Sequence, residues 1–524
     1  MMAKLFPIRN KLARLYRFLT ISVVAGAIAC SGDKTVRPLP ELPPKLSERQ
    51  APVREARPPK EFTIAWTGEL RGEVEPCGCP TVPYGGLTRR ERLLEQLRRD
   101  DLPVFVLDAG SMLVKGQNSR DQLRRPERAR FLLQSMQALG LDAWAASPVD
   151  LQPGGIDFLK GSGALSANWT DTEGKPVLPG STILERGGVR LGVLGLSEAG
   201  DQPVRESIAA LNAEMEGKDV DAWVLLSNLL PTQRKAVAEG VPGLGAVLSV
   251  RGDSTDAPER TAGAPILEVP DRGRYVSVLR VMTGAVPGPW EVEEEGDWAR
   301  YATTRRLGLG AEGANKADFV RRIREQQALL HDKIPGRTVV VPYDVALGSE
   351  LDGEAALRPA IDRFKAQARE AAASAATRDQ PERPYQTAAG CMKCHQDRFA
   401  AWTFDPHAKA WDALLEREAS SNPECLPCHT TGYGEPGGFG EATFANTSRY
   451  KAVQCEACHG AMGAHPEDGK AHPAPSAGQC ISCHDAANSP SFDISTYLRR
   501  ISCTMVSQKD QAGGGGGAGT TTPR

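Results

Sequence analysis

The chain has 524 residues, too many for one hydrophobic core, and therefore divides into domains that each bury their own interior. Lys and Arg number 63 against 65 Asp and Glu, and aromatic residues make up 6%. That balance excludes a bulk field for nucleic acid and a base-stacking surface, so charge alone names no partner.

The N-terminus carries Lys4, Arg9, Lys11, Arg14 and Arg17 ahead of an apolar run from Phe18 to Ala29. This pattern predicts an export signal, since the run is well short of the roughly 20 residues a spanning helix needs. Ala27-Ile28-Ala29-Cys30 resembles a bacterial lipobox, although alanine stands where the third residue before the cysteine is usually Leu. The resemblance implies a lipid on Cys30, and Ser31 after it implies sorting to the outer membrane. A cleaved signal and an uncleaved anchor are the alternatives. The expected location is thus the periplasm or outer membrane of a bacterium, with residues 1–30 as signal segment. Residues 31–61, rich in Pro and charge, form an extended tether with no core of their own.

Residues 62–284 alternate short apolar runs with helix-period segments, which predicts an α/β sheet domain. Expected strands are Phe62–Thr67, Val104–Asp108, Val193–Leu196, Ala222–Ser227 and Ala246–Val250, and expected helices are Gly86–Arg99 and Pro126–Leu139. Two hairpins are expected, turning at Gly187-Gly188 and at Asp271-Arg272-Gly273.

Within this domain Gly68-Glu69-Leu70-Arg71-Gly72, Gly85-Gly86-Leu87, Asp108-Ala109-Gly110-Ser111, Ser166-Ala167-Asn168 and Leu226-Ser227-Asn228 follow one another in a recognisable order. They resemble the blocks of the 5′-nucleotidase branch of calcineurin-like metallophosphoesterases, which implies an αββα sandwich. That family holds two metals on Asp, His and Asn to activate water and neutralise phosphate. Here Glu69 and Arg71 stand where the first block has Asp and His, Ser111 replaces an Asp, Ser147-Pro148-Val149-Asp150 replaces Asn-His, and Asn228 stands at a His position. The eight histidines are His331 and seven beyond residue 394, so the domain contains none. The expectation is a retained fold with the metal site, and phosphoesterase activity, lost.

The loop after the first strand holds Glu75-Pro76-Cys77-Gly78-Cys79-Pro80. Cys77 and Cys79 are a candidate redox dithiol or soft-metal pair, the alternative being two buried structural thiols. Their setting also resembles nucleotidase-like proteins in which one such cysteine is selenocysteine, which implies redox chemistry. Residues 285–383 read as a helical connector, with helices over Lys316–Leu330 and Glu354–Thr377 and a strand-like Val339-Val340-Val341-Pro342 between them. His331, alone on a polar helix, reads as a solvated residue.

Residues 384–503 carry four Cys-x-x-Cys-His motifs. The first is Cys391, Cys394 and His395; the second is Cys425, Cys428 and His429; the third is Cys455, Cys458 and His459; the fourth is Cys480, Cys483 and His484. Two thiols a helical turn apart add to the vinyl groups of one porphyrin, and the following imidazole reaches its iron. Paired zinc sites would not require a histidine after every pair. Aliphatic filler is sparse in this stretch, so four covalent haem c groups are expected to supply its core. The setting of the motifs, with Trp402, His407, Trp411, Thr430-Thr431-Gly432-Tyr433 and Tyr497, resembles the cytochrome c-554 family over nearly all of Tyr385–Cys503. The resemblance implies proximal ligands His395, His429, His459 and His484 and distal ligands His407 and His465. His472 is either a further ligand or a surface residue. The later His that family members carry is absent here, which implies either a five-coordinate haem or ligation by Met462, Met505 or Cys503. Residues 504–524 form a Gly-rich tail of linker type.

The fold class expected is therefore multidomain, a metallophosphoesterase-like α/β domain followed by a mostly α, haem-cored cytochrome c domain. The function expected is electron transfer with other redox proteins or quinol-linked donors, without nucleic acid. The alternatives are an oxidoreductase acting on a small nitrogen or sulfur compound at an open haem, and a redox-linked binding protein that uses the nucleotidase-like domain to dock a partner or nucleotide.

Overall fold

A computed structural model describes residues 61–76, 83–100, 102–114, 125–198, 204–250, 261–270, 273–284, 286–292, 337–377, 385–440, 449–463, 475–484 and 492–501, with isolated positions between them. The expected signal, Cys30, the tether, Cys77, Cys79, His331, His472, Cys503, Met505 and the tail lie outside the described residues.

The strands of the first sheet are β1 (Glu61–Thr67), β2 (Val104–Asp108), β3 (Leu141–Ala145), β4 (Ala164–Leu165), β10 (Tyr275–Met282), β11 (Val286–Val292) and β12 (Arg337–Ala346), in the order β11-β12-β10-β1-β2-β3-β4. The second sheet runs β5 (Ser181–Arg186), β6 (Val189–Leu196), β7 (Ala222–Ser227), β8 (Ala246–Val250), β9 (Ile266–Val269), parallel after the first pair. Strand alternation makes the two sheets stack. Phe62, Ile64 and Trp66 of β1 and Val224 and Leu226 of β7 point into a shared core with Leu191, Leu248, Leu279 and Val340. Trp223 and Leu225, the alternate residues of β7, face the opposite way onto α4 (Val204–Met215) and α5 (Pro231–Gly240). On the other side α1 (Leu87–Arg98) and α2 (Arg125–Ala138) cover the first sheet, completing an αββα sandwich. The short α3 (Gly155–Leu159) lies between β3 and β4.

The hairpin at Gly187-Gly188 forms as expected. Arg186 pairs with Val189 across a two-residue turn whose glycines have φ of 57° and 77°, the left-handed pair a tight hairpin requires. The second expected hairpin is a correction. β9 and β10, on either side of residues 271–273, belong to different sheets and so are not paired with each other as a hairpin.

The connector expected over residues 285–383 is also corrected, because it supplies part of the core of the N-terminal domain. β12 lies between β11 and β10, and its unbroken Val339-Val340-Val341 run is what a strand covered on both faces requires. Helix α6 (Arg358–Thr377) packs Ile361 and Phe364 onto the first sheet, with Phe364 stacked on Phe131 of α2 at 4.3 Å. The sequence hides this because more than fifty residues divide β11 from the helix that follows β12.

Beyond residue 385 the described residues include short helices, Ala388–Cys391, Gln396–Thr403, Ala410–Leu415, Leu426–His429, Cys455–His459, Ala477–Ile481 and Ile494–Leu498. Their own core is small, Tyr385, Trp411, Leu414, Leu426, Phe439, Tyr450 and Ala452. This part docks on the sandwich through the approach to the second motif. Glu424 accepts from the Val74 N–H at 3.3 Å and lies 3.5 Å from Arg128, and Arg369 of α6 donates to the Ser421 carbonyl at 3.0 Å. Among the described residues no helix is long and apolar enough to cross a membrane.

Candidate functional site

Two places gather chemistry-bearing side chains. One is the end of the sandwich where the parallel strands deliver their C-terminal loops, the usual ligand edge of such sheets. There Thr67 Oγ donates to Asp108 at 2.8 Å, the Gly110 N–H donates to the other oxygen at 2.8 Å, and Arg90 Nη1 reaches Thr67 Oγ at 2.9 Å. Asp150 accepts from the Ser111, Leu113 and Ser147 N–H groups and from the Ser147 hydroxyl. Asn168 and Asn228 spend their amides on the Ser197 and Ala146 carbonyls. Glu69 and Arg71 form an ion pair with each other at 2.6 Å.

The backbone of a ligand edge persists, because Glu69, Arg71 and Ser111 sit at φ of 50°, 50° and 53°, an uncommon left-handed geometry for side-chain-bearing residues. Gly110 has no alternative, since a Cβ there would come within 2.4 Å of the Ala145 carbonyl. The polar groups that could have met a metal are instead satisfied by the protein, and among the described residues no group of three or more His, Cys, Asp or Glu is placed to hold one. The donor set does not fit the two-metal centre of the nucleotidase resemblance.

Burial pushes the Asp108 carboxyl up to about 7, against the opposing pull of the Gly110 N–H, the Thr67 hydroxyl and the Arg90 guanidinium. The folded value lies above the ordinary 3.8, so the stability this group lends is full below 3.8 and is lost as pH rises through about 7. Asp108→Asn is expected to flatten that part of the pH dependence of Tm, followed by calorimetry between pH 4 and 8. A curve as steep as that of the wild type would refute the assignment.

The second place is the region of the Cys-x-x-Cys-His motifs. All eight motif cysteines are described and none is in a disulfide. The polypeptide by itself does not bury them. Cys394 is exposed, and Cys428 and Cys458, the corresponding second thiols of the next two motifs, are only half-buried, as are Cys391, Cys425, Cys455, Cys480 and Cys483. The reason is physical: the short helices that carry these thiols have little aliphatic filler of their own to close over them.

The first and third motifs meet: the Cys391 thiol is hydrogen bonded to that of Cys455, which pulls it down to about 7 against the effect of burial. Glu456, inside the third motif and 2% exposed, accepts the Gln386 N–H and, at 2.7 Å, the Met462 N–H. Gln454 accepts the Ala388 N–H at 2.7 Å, so two acceptors beside the third motif fix the start of the first.

The imidazoles are held in a common way. His429 Nδ1 donates to the Ala410 carbonyl at 2.6 Å, His407 Nδ1 donates to Asp405 Oδ1 at 2.9 Å, and His484 Nδ1 lies 2.8 Å from Ser489 Oγ. In His429 and His407 the acceptor is an oxygen that can only take a proton, which puts the hydrogen on Nδ1 and leaves Nε2 the basic nitrogen of the ring. Burial lowers the affinity of His429 for a second proton, with the Ala410 carbonyl opposing, which favours the neutral, ligating form.

His407 and His484 come together, with ring centroids 6.0 Å apart and planes at 85°. A metal–imidazole bond is about 2 Å long and the nitrogen sits about 1 Å from the ring centre, so two imidazoles sharing one metal place their centroids about 6 Å apart. His395, His459 and His465 also lie within the described residues. The apolar side chains around the motifs fit a porphyrin-lined interior as well. Met392 and Ile481, within the first and fourth motifs, are exposed, as are Leu415, Leu498 and Phe404, the last at 82%. Side chains of this size at solvent call for an apolar partner.

Sequence reasoning missed Asp405, Gln454, Glu456 and Ser489 as supports of the motifs. The Asp-x-His spacing of Asp405 and His407, and a carboxylate inside a Cys-x-x-Cys-His motif, were the available signals.

The class of each part follows. The N-terminal domain is an αββα sandwich, and in the C-terminal region residues 390–460 match the family model described as Cytochrome c554 and c-prime. That match spans the first three motifs and stops before the fourth, so it is shorter than the resemblance expected over Tyr385–Cys503.

Among individual proteins, the chain is 27% identical over 240 residues to a 5′-nucleotidase of Diplobatis ommata, a match covering 40% of each chain. It thus spans well under two thirds of that relative. Among solved structures it is similar to a 5′-nucleotidase precursor from Thermus thermophilus at 20% identity, covering 42% of this chain and 51% of that one with a TM-score of 0.34. It is also similar to the sulfate thiohydrolase SoxB of Thermus thermophilus at 18% identity, covering 45% and 56% with a TM-score of 0.37.

Proposed function

We propose that the chain is an exported multihaem c-type cytochrome that carries electrons. Its four haem c groups sit on Cys391 and Cys394, on Cys425 and Cys428, on Cys455 and Cys458, and on Cys480 and Cys483. The observation that carries this reading is the fourfold Cys-x-x-Cys-His motif in a region with a cytochrome match, where imidazoles are turned to offer Nε2. Bound haem supplies one-electron carriers. The thiols would attach them, and His395, His429, His459 and His484, together with His407, His465 and His472, would hold their irons. The partners are other redox proteins or quinol-linked donors, and a lipid on Cys30 holds the chain to the membrane from the periplasmic or outer-membrane side. The sandwich serves as a rigid seat for the second motif through Glu424, Arg128 and Val74.

A second reading rests on the histidine count, since seven residues serve the eight axial positions of four irons. An iron with one position open would bind a small nitrogen or sulfur compound. Absorption spectra separate the two: a high-spin ferric band that shifts with NO or cyanide favours this reading, and wholly low-spin haems that resist both favour the carrier.

The primary test is a haem count. Protein matured in an export-competent host is expected to carry four haems per chain by haemochrome assay and intact mass. A colourless product with the mass of the bare polypeptide would overturn the proposal. A phosphoesterase assay with Mn²⁺ is expected to show no turnover.

A further inference from the structure

Asp405 is 6% exposed, and its Oδ1 accepts twice from one neighbouring residue. It takes the backbone N–H of His407 at 3.0 Å, capping the short helix Pro406–Lys409, and it takes the same residue's ring Nδ1–H at 2.9 Å. The His407 carbonyl in turn accepts the Val453 N–H at 3.1 Å, and Trp402 donates to the Val453 carbonyl at 3.0 Å, so ring and backbone are fixed together. The ring thus held stands 6.0 Å from that of His484 of the fourth motif, a centroid separation that matches one metal held between two imidazoles.

We propose that His407 and His484 ligate the same iron, that of the haem on Cys480 and Cys483, and that Asp405 is the positioning residue that lowers the reduction potential of this haem relative to the others. This deepens the reading of the chain as a multihaem cytochrome and rests on it.

The physical reason is the identity of the hydrogen-bond acceptor. A carboxylate that takes the Nδ1–H of a ligating imidazole raises the basicity of Nε2 and stabilises the more highly charged metal. His429 has a neutral backbone carbonyl in that role, a weaker acceptor, and the group 2.8 Å from His484 Nδ1 is the neutral Ser489 hydroxyl. A buried carboxylate also acts through a low dielectric, where its charge opposes the gain of an electron by a nearby centre. Uptake of one electron from a redox partner reduces the iron's charge by one, and Asp405 makes that step harder at this haem. The consequence is a low-potential member of the set at the position farthest along the chain.

The test uses the matured holoprotein. Asp405→Asn keeps the size and the helix cap but removes the charge. The haem count per chain comes first: a wild type without four haems defeats the underlying cytochrome reading, whatever Asp405 does. With four haems present, a mediated redox titration of Asp405→Asn is expected to show one midpoint moved to more positive potential and the others unmoved. At a fixed applied potential the reduced-to-oxidised ratio of that haem rises about tenfold, the lower end of what loss of an outer partner does at a metal site. Conversion of one haem from low to high spin in this variant would equally uphold the proposal, as release of His407.

In a double-variant background carrying Cys480→Ala and Cys483→Ala, which lacks the fourth haem, the effect of Asp405→Asn is expected to vanish. Midpoints and spin states that all stay at wild-type values in Asp405→Asn would overturn the proposal, as would a shift that survives loss of the fourth haem. If the Asn variant loses haems, Asp405→Ser, which retains the cap, is read by the same two criteria.

Discussion

Produced without haem attachment, the chain is expected to keep a folded sandwich through α6 and to lose ordered structure beyond residue 385. The sandwich has three contiguous cores that involve no Cys-x-x-Cys-His motif, one between its sheets and one under each helical layer. Among its described residues the C-terminal region has only the cluster around Trp411, Leu426 and Phe439, while Phe404, Met392, Leu415, Ile481 and Leu498 are exposed. Fully burying a side chain of that size stabilises a fold by roughly 1.5–3 kcal/mol, and most of these five are already about half covered, so closing over the rest adds several kcal/mol, near the lower end of the stability of a small domain. Covalent porphyrins supply it by covering those surfaces. Limited proteolysis is the measurement: cleavage confined to sites after about residue 385 in the unmatured chain, and protection there in the matured one. Equal protection in both would show that the polypeptide core suffices and that the haem-cored reading is wrong.

The parts of the molecule that were legible in the sequence are those where the signal is local. β2, β7 and β8 coincide with the expected segments because each is a short apolar run bounded by turn residues. The Cys-x-x-Cys-His motifs are local too, since their chemistry demands adjacency. What escaped was set by long-range partners. β12 reads as an isolated valine run in a helical stretch, and only its pairing with β10 and β11 makes it central to a sheet. The segment at residues 271–273 looks like a hairpin turn because a turn signal does not say which sheet the next strand joins. The pairing of His407 with His484 joins residues far apart in sequence. That residues 62–284 contain no histidine was visible as composition, but the hydrogen bonds of Asp108 and Asp150 to Gly110 and Ser147 were visible only in the structure.

Glu75→Gln is expected to destabilise the sandwich by about 2 kcal/mol at neutral pH, in line with loss of charge-assisted hydrogen bonds. Glu75 leads from the first strand into the cysteine-bearing loop, and its carboxylate is held by two residues of α6, Arg358 at 2.7 Å and Lys365 at 2.8 Å. Burial acts to raise its pKa, but the hydrogen bonds and charges of Arg358 and Lys365 outweigh burial and hold it below the ordinary 4.5. The sign follows from that direction. A carboxyl depressed in the fold contributes its full stability above 4.5, where both states are ionised, and loses it as pH falls through the folded value. The stability gap between wild type and Glu75→Gln should therefore be constant from pH 5 to 8 and close on acidification. Denaturant titrations at pH 7 and pH 3 measure it directly. A gap that persists undiminished at pH 3 would mean that shape, and not charge, is what Glu75 contributes. Because the same carboxylate ties the first loop of the sandwich to α6, and Arg369 of α6 reaches the Ser421 carbonyl just ahead of the second motif, weakening it should also loosen the seat of that motif. Hydrogen exchange at residues 421–426 is then expected to quicken in Glu75→Gln while exchange in β7 and β8 of the far sheet stays unchanged.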